Sequence, residues 1–371
     1  MITYIAYLMV TVAVLVYGIG IVLPDIGRHD YTVYALLPLL TPLFSISGIA
    51  LETYYLAIVA AIIASVGWIT ISSLEGFISE MSMKSKSREH SALFEVCAVF
   101  FAILFFDLVL SFLMTAVGYE PSDPIGDSSD LELLFSLANA SVWEELVARV
   151  LLVGMPLLFV DIFRRSSAAR LHKYFLGGGF RIGMVEAALI IISAGLFGLA
   201  HYDAWGAWKI LPSAIAGLGF GYLFLRHGLP AAIVLHFAFD YMSMPSTVFP
   251  DSVGLTVAIV VGILLWAGLG SVFFVYYILR MAEFVTGRKY LEEKPQIIGV
   301  PTPFPSPYGT IDPYEPHQTG APSIPYGYQR PREAGSWQPP HAGGYVCPIC
   351  GYTQARWADG KLHCMRCGHS S

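Results

Sequence analysis

Long apolar runs separated by short polar connections organise the first 280 residues of the chain. A helix needs about 20 mostly apolar residues to cross a bilayer. By that measure stretches near 2–23, 32–50, 53–73, 92–117, 131–161, 182–201, 209–226, 229–245 and 253–280 are expected spans, nine in all. Between the second and third, SISGIALETYY (45–55) leaves almost no loop, so one of that pair is open to a re-entrant reading. Ionisable groups interrupt the apolar pattern at few places: Glu144, Glu145 and Arg149 in SVWEELVARV, His201 at the end of FGLAH, His236 and Asp240 in HFAFD, and Glu95 and Asp107 within 92–117.

Composition agrees with a lipid-embedded chain. Of 371 residues, 56% are hydrophobic and 13% charged, with mean hydropathy +0.63, against roughly 25% charged in a typical soluble domain. The expected fold class is an all-α polytopic membrane protein of eight or nine transmembrane helices. The first segment lacks a basic start and a small-residue cleavage site, and reads as a retained span. Net charge, −6, says little here; its distribution says more. Basic residues gather at 74–91 (Lys84, Lys86, Arg88) and 162–181 (Arg164, Arg165, Arg170, Lys173, Arg181), whereas YEPSDPIGDSSD (119–130) is acidic. Positive loops stay in the cytoplasm, so nine spans place the N-terminus outside and the tail inside the cell membrane.

Beyond Arg280 the pattern changes. The expected organisation is N-terminal transmembrane helices over 1–90, a membrane core over 91–290, a Pro/Gly/Tyr-rich linker over 291–344 too poor in aliphatics to fold, and a terminal module over 345–371. That module carries Cys347, Cys350, Cys364 and Cys367 as two C-x2-C knuckles, each followed closely by glycine. Four thiolates so spaced can enclose a structural zinc ion. Disulfides are the competing reading, disfavoured in a reducing cytoplasm. Arg356, Lys361 and Arg366 are too few for a nucleic-acid footprint; a cytoplasmic protein partner suits the ribbon better. Cys97, alone in an apolar span, reads as a small packing residue.

Ionisable residues inside a bilayer are costly and usually face a bundle interior or a wet cavity. Residues four apart share a helix face, so Glu145 and Arg149 can pair while Glu144 points elsewhere. Taken singly, Glu145 with Arg149 reads as a structural ion pair, His201 as interfacial and His236 as a packing histidine. Together on three helices they make a chemical set. A poorly solvated Glu144 can act as general base toward water, with one histidine sharing the proton and another, with Asp240, facing a developing oxyanion. Equally, His201, His236 and a carboxylate form a hydrolytic zinc set. Trp205 and Trp208 suit an interfacial belt, Asp203 a cavity rim. Gly177, Gly178 and Gly179 read as a flexible turn, and Gly217, Gly219 and Gly221 as close helix packing.

The order Glu144-Glu145-x3-Arg149, Phe197-x3-His201, His236-x3-Asp240 resembles the CPBP intramembrane proteases, the group containing the CAAX prenyl proteases and bacteriocin-processing enzymes. The resemblance covers roughly 90–245. It implies an intramembrane endopeptidase acting on a membrane-associated protein or peptide, lipidated substrates included. In it Glu144 would activate water with His201, His236 and Asp240 would form the far wall, and Glu145, Arg149 and Phe197 would support them. It leaves metal-dependent and glutamate-dependent mechanisms both open. Asp240 stands where prenyl-processing members have Asn, which weakens the inference to CAAX substrates. The rival reading is a non-catalytic membrane scaffold or receptor that binds peptides and recruits partners through the ribbon; a transporter is less favoured, since no inverted repeat is apparent.

Overall fold

Helices form along most of the long apolar runs, and they pack into one bundle. The computed structural model describes residues 1–36, 40–82, 90–119, 128–165 and 169–291, together with the backbone of 355–358 and 361–364. Two units are separated, Met1–Ile297 and Ile298–Ser371. In the first, the principal helices are α1 (Ile2–Ile26), α2 (Gly48–Met81), α3 (Ala92–Ala116), α4 (Asp130–Glu145), the short α5 (His172–Leu176), α6 (Met184–Ala200), α7 (Ile210–His227), α8 (Leu229–Asp240) and α9 (Val253–Thr286). Helix α4 runs on without a break through a π-helical stretch, Leu146–Gly154, and further turns to Arg165. Seven helical segments among the described residues are long and apolar enough to cross a membrane. The protein is a mostly helical, multi-pass membrane protein.

Two of the nine expected spans are corrected. The stretch 32–50 is not a span but an antiparallel hairpin, β1 (Asp30–Leu36) with β2 (Leu40–Ser47), pairing Asp30 with Ser47 through Leu36 with Leu40. Its sequence contains Pro38 and Pro42, each of which removes a helix hydrogen bond and clashes with the preceding turn. Pro42 lies opposite Tyr34 at the point where the register shifts after Val33, a position where a missing N–H is tolerated. The stretch 229–245 yields only α8, 12 residues. At 1.5 Å per residue it covers about 18 Å, short of the roughly 30 Å hydrocarbon core. Helix α8 is apolar because it is wrapped by protein: Leu229 and every residue from Ala231 to Ala238 are buried, among α2, α3, α4 and α7. Seven spans still put the two ends of the bundle on opposite faces, but with the N-terminus outside both basic loops would now lie outside as well, so the charge rule no longer places the tail in the cytoplasm.

The elements around α8 are fixed by local chemistry. A capping box starts α4: the Ser129 hydroxyl accepts from the Glu132 N–H at 3.3 Å, and the Glu132 carboxylate accepts from the Ser129 N–H at 2.9 Å. The triple glycine is more than a flexible turn. All three residues have left-handed φ, +68°, +86° and +73°, and the strap donates from Gly178, Gly179 and Phe180 to the carbonyls of Phe224, Arg226 and Leu225 at 2.9–3.0 Å. It thereby satisfies the orphan carbonyls of the last turn of α7. Close packing of α7 is as expected: a Cβ on Gly217 would meet Ala194 and one on Gly221 would meet Ile190, both on α6, while Gly219 abuts Val99 and Ile103 of α3. Cys97 is fully buried.

In the second unit, β3 (Ala355–Ala358) pairs antiparallel with β4 (Lys361–Cys364). Cys347, Cys350 and Cys367 lie outside the described residues, and of Cys364 only its backbone place at the end of β4 is defined.

Candidate active site

The site grows from the end of α4. The π-helical stretch begins directly after Glu145, and such insertions recur at functional sites because they re-aim neighbouring side chains. Glu145 and Arg149 are both fully buried and pair at 3.0 Å through Oε2 and Nε, as their spacing predicts. Arg149 Nη1 donates to Ser193 Oγ of α6 at 2.8 Å, and that hydroxyl donates on to the Ala148 carbonyl at 2.6 Å. The guanidinium lies 5.2 Å from the ring centre of Phe197 and 5.5 Å from that of Phe220, so ring faces supply cation–π stabilisation where water is absent.

The other oxygen of Glu145 binds the third motif. Its Oε1 lies 2.9 Å from His236 Nδ1. Since Glu145 already faces Arg149 as a carboxylate, Nδ1 is the donor, and the imidazole presents Nε2 to the opposite side. The ring of His236 stacks on Phe220 at 4.7 Å and 13° and meets Phe197 edge-on at 5.9 Å. Its Nε2 is 3.3 Å from Asp240 Oδ2, one turn along α8, and Ser141 Oγ is 3.2 Å from the same oxygen. His201 is oriented in the same manner: its Nδ1 lies 2.8 Å from the Phe197 carbonyl, which can only accept, so Nδ1 carries the proton and Nε2 is turned to the site.

Glu144 sits between the two imidazoles. Its Oε2 is 4.0 Å from His201 Nε2 and 3.9 Å from His236 Nε2. That oxygen is buried and has no hydrogen-bond partner among the described residues. Distances beyond 3.5 Å between polar atoms are the span of a bridging water. The structure thus brings together Glu144, Glu145, Arg149, Phe197, His201, His236 and Asp240 from α4, α6 and α8. Among the described residues no group of three His, Cys, Asp or Glu side chains is arranged as a metal site.

Several contributors escaped the reading of the sequence. Ser193 anchors Arg149, Phe220 floors both Arg149 and His236, and Ser141 meets Asp240. Ser193 carried a faint signal, since Ser193, Phe197 and His201 recur at intervals of four on α6. The hairpin reaches the site through α4: Trp143 Nε1 donates to the Tyr34 carbonyl at 2.6 Å, and Asn139 Nδ2 donates to the Tyr31 hydroxyl at 2.8 Å. Burial, with the nearby Glu144 charge, pushes the Tyr31 hydroxyl up to about 12. Trp205 and Trp208 hold Lys209 over their rings, at 4.7 and 5.3 Å. Asp203 is exposed. Glu95 lies apart, bound to His227 at 2.8 Å, and Asp107 Oδ1 is buried without a partner among the described residues.

The class defined by this geometry is a multi-pass helical bundle with a buried glutamate facing two oriented imidazoles. Residues 128–242 match the family described as Type II CAAX prenyl endopeptidase Rce1-like. The match covers about a third of the chain, from the cap of α4 to just beyond Asp240, and includes every residue of the three motifs. Comparisons with curated proteins and with solved structures return no match.

Proposed function

We propose that this protein is an intramembrane endopeptidase that hydrolyses a peptide bond of a membrane-associated protein or peptide, with Glu144 as the base that activates water. One observation carries the reading: a buried carboxylate oxygen with no hydrogen-bond partner among the described residues, aimed between two imidazole nitrogens at 4.0 and 3.9 Å. A water hydrogen-bonded at about 2.8 Å to both Glu144 Oε2 and His201 Nε2 would subtend roughly 90°, close to the angle between its own two O–H bonds. Both protons then point at acceptors and a lone pair at the substrate. Glu144 takes one proton as the water oxygen bonds to the carbonyl carbon, and the carbonyl electrons move onto oxygen. His236, protonated on Nε2 and fixed by Glu145, donates to that oxyanion, with Asp240 keeping the proton on Nε2. Collapse breaks the C–N bond, and Glu144 returns its proton to the leaving amine. The match to prenyl endopeptidases supports the class of reaction; Asp240, where those enzymes have Asn, leaves the substrate at the level of membrane-associated.

The test compares new protein termini in native membranes holding wild type or Glu144→Ala at matched levels. Termini that depend on Glu144 establish proteolysis and name substrates. Identical profiles from folded, abundant proteins would remove the hydrolase reading and leave the peptide-binding scaffold. We further propose that Cys347, Cys350, Cys364 and Cys367 hold one structural zinc in a C-terminal ribbon that contacts a protein partner; zinc counted on purified full chain should fall by one equivalent in Cys347→Ser/Cys350→Ser.

A further inference from the structure

A second built cavity lies outside the Glu144 cluster and shares no residue with it. It encloses about 100 Å³ between the start of α3, the end of α7 and the later half of α9, and its walls are largely aromatic: Phe94, Tyr222, Phe273, Tyr276 and Tyr277. Neighbouring rings stand nearly perpendicular, Phe94 to Phe273 at 82°, Tyr222 to Tyr277 at 67° and Tyr276 to Tyr277 at 73°. One carboxylate stands in the wall. Glu95 is 5% exposed and lies 2.8 Å from His227 Nε2.

His90 completes the wall, and Arg280 flanks it. His90 stacks on Phe94 at 4.5 Å and 14°, and Glu80 holds it through Nδ1 at 3.1 Å while also capping α3 at Ser91. Arg280 packs over Tyr276 and is paired with Glu283 at 2.9 Å. Packing alone does not require this arrangement, because a core void walled by rings would be filled by an aliphatic side chain at lower cost than by burying Glu95. A small inorganic cation is a poor occupant, since it needs several oxygen ligands and the walls offer mostly ring faces. An ammonium bearing methyl groups matches all of it: methyls against rings, charge against ring quadrupoles and one carboxylate. The cavity lies at the beginning of α3 and the last turns of α7.

We propose that this cavity binds a quaternary ammonium group, as carried by a phosphocholine lipid headgroup or a soluble trimethylammonium compound. The experiment uses the full chain purified in a maltoside detergent, which has no ammonium. Thermal unfolding is followed at rising tetramethylammonium chloride against equal sodium chloride, since a ligand of the folded state raises Tm in a saturable way. Wild type should show that rise, tetrabutylammonium should not produce it, and Glu95→Gln and Tyr277→Leu should shift half-saturation at least tenfold higher, with Tyr277→Phe retaining it. A wild-type response no larger than that to sodium, or equal for the tetrabutyl ion, overturns the proposal. If the variants fail to fold, the size series on wild type decides alone. In nanodiscs of phosphatidylcholine against phosphatidylglycerol, a tetramethylammonium response blunted only by phosphatidylcholine assigns the cage to lipid. A response kept in both assigns it to a soluble cation; either upholds it.

Discussion

Adjacent glutamates on α4 should respond in opposite ways to the same substitution. Glu145 is wholly buried and holds two partners, Arg149 at 3.0 Å and His236 at 2.9 Å, and Arg149 is itself wholly buried. Glu145→Gln keeps the shape and deletes the charge, leaving a guanidinium in the bundle with no counterion. Removing one member of a buried pair costs about 3–5 kcal/mol. At about 2–4 °C per kcal/mol for a large domain, Tm falls by roughly 6–20 °C. Glu144→Gln deletes a buried carboxylate oxygen that has no partner among the described residues, so it relieves a desolvation cost and leaves Tm unchanged or higher while abolishing cleavage. The assay is thermal unfolding in detergent by tryptophan fluorescence, run beside the terminus comparison. A double variant, Glu145→Gln/Arg149→Met, sharpens it: with both charges gone, much of the lost stability returns, a coupling that single variants cannot show. Equal Tm losses for Glu144→Gln and Glu145→Gln, or no recovery in the double variant, would refute the reasoning and show that the rings of Phe197 and Phe220 carry the guanidinium without Glu145.

Three further outcomes follow from local chemistry. Ser193→Ala strips Arg149 Nη1 of its acceptor in a dry site; a loss of about 1–3 kcal/mol is expected in the same unfolding assay, with cleavage retained at reduced rate. Gly178→Ala has room for its Cβ but sits at φ +86°, so about 1–2 kcal/mol of left-handed strain should appear as a lowered Tm, whereas Gly177→Ala, whose Cβ would strike the Phe224 carbonyl, should cost more. Tyr31, with its hydroxyl pushed up to about 12 by burial and by Glu144, holds its proton more tightly folded than unfolded. The stability this contributes is complete below pH 10 and is lost as pH rises from 10 through 12; Tyr31→Phe should flatten that part of the pH–Tm curve, and an unchanged curve would remove Tyr31 from the account.

What could be read from the sequence follows the cost of each group in lipid. Glu144, Glu145, Arg149, His236 and Asp240 were legible because an ionisable group in an apolar run demands a reason, and intervals of four put the pairs on shared faces. Ser193 and Phe220 were not, because a serine or phenylalanine in a membrane helix demands none. Apolar content also cannot tell a helix facing lipid from one enclosed by protein, which is why α8 read as a span although nearly all of it is buried.

The hairpin failed for a different reason, since its apolar count was satisfied and its prolines, Pro38 and Pro42, were the contrary signal. Its assignment matters to the site, because an open sheet edge is not stable within hydrocarbon. The hairpin must therefore lie against protein or at the interface, and the contacts show where: Trp143 binds the Tyr34 carbonyl and Asn139 the Tyr31 hydroxyl. Both donors stand on the helix turns that deliver Glu144. A segment expected to be a transmembrane span is instead tied to the residue preceding the candidate base, so substitutions in β1 should be felt at Glu144 through Trp143 and not through the lipid-facing bundle.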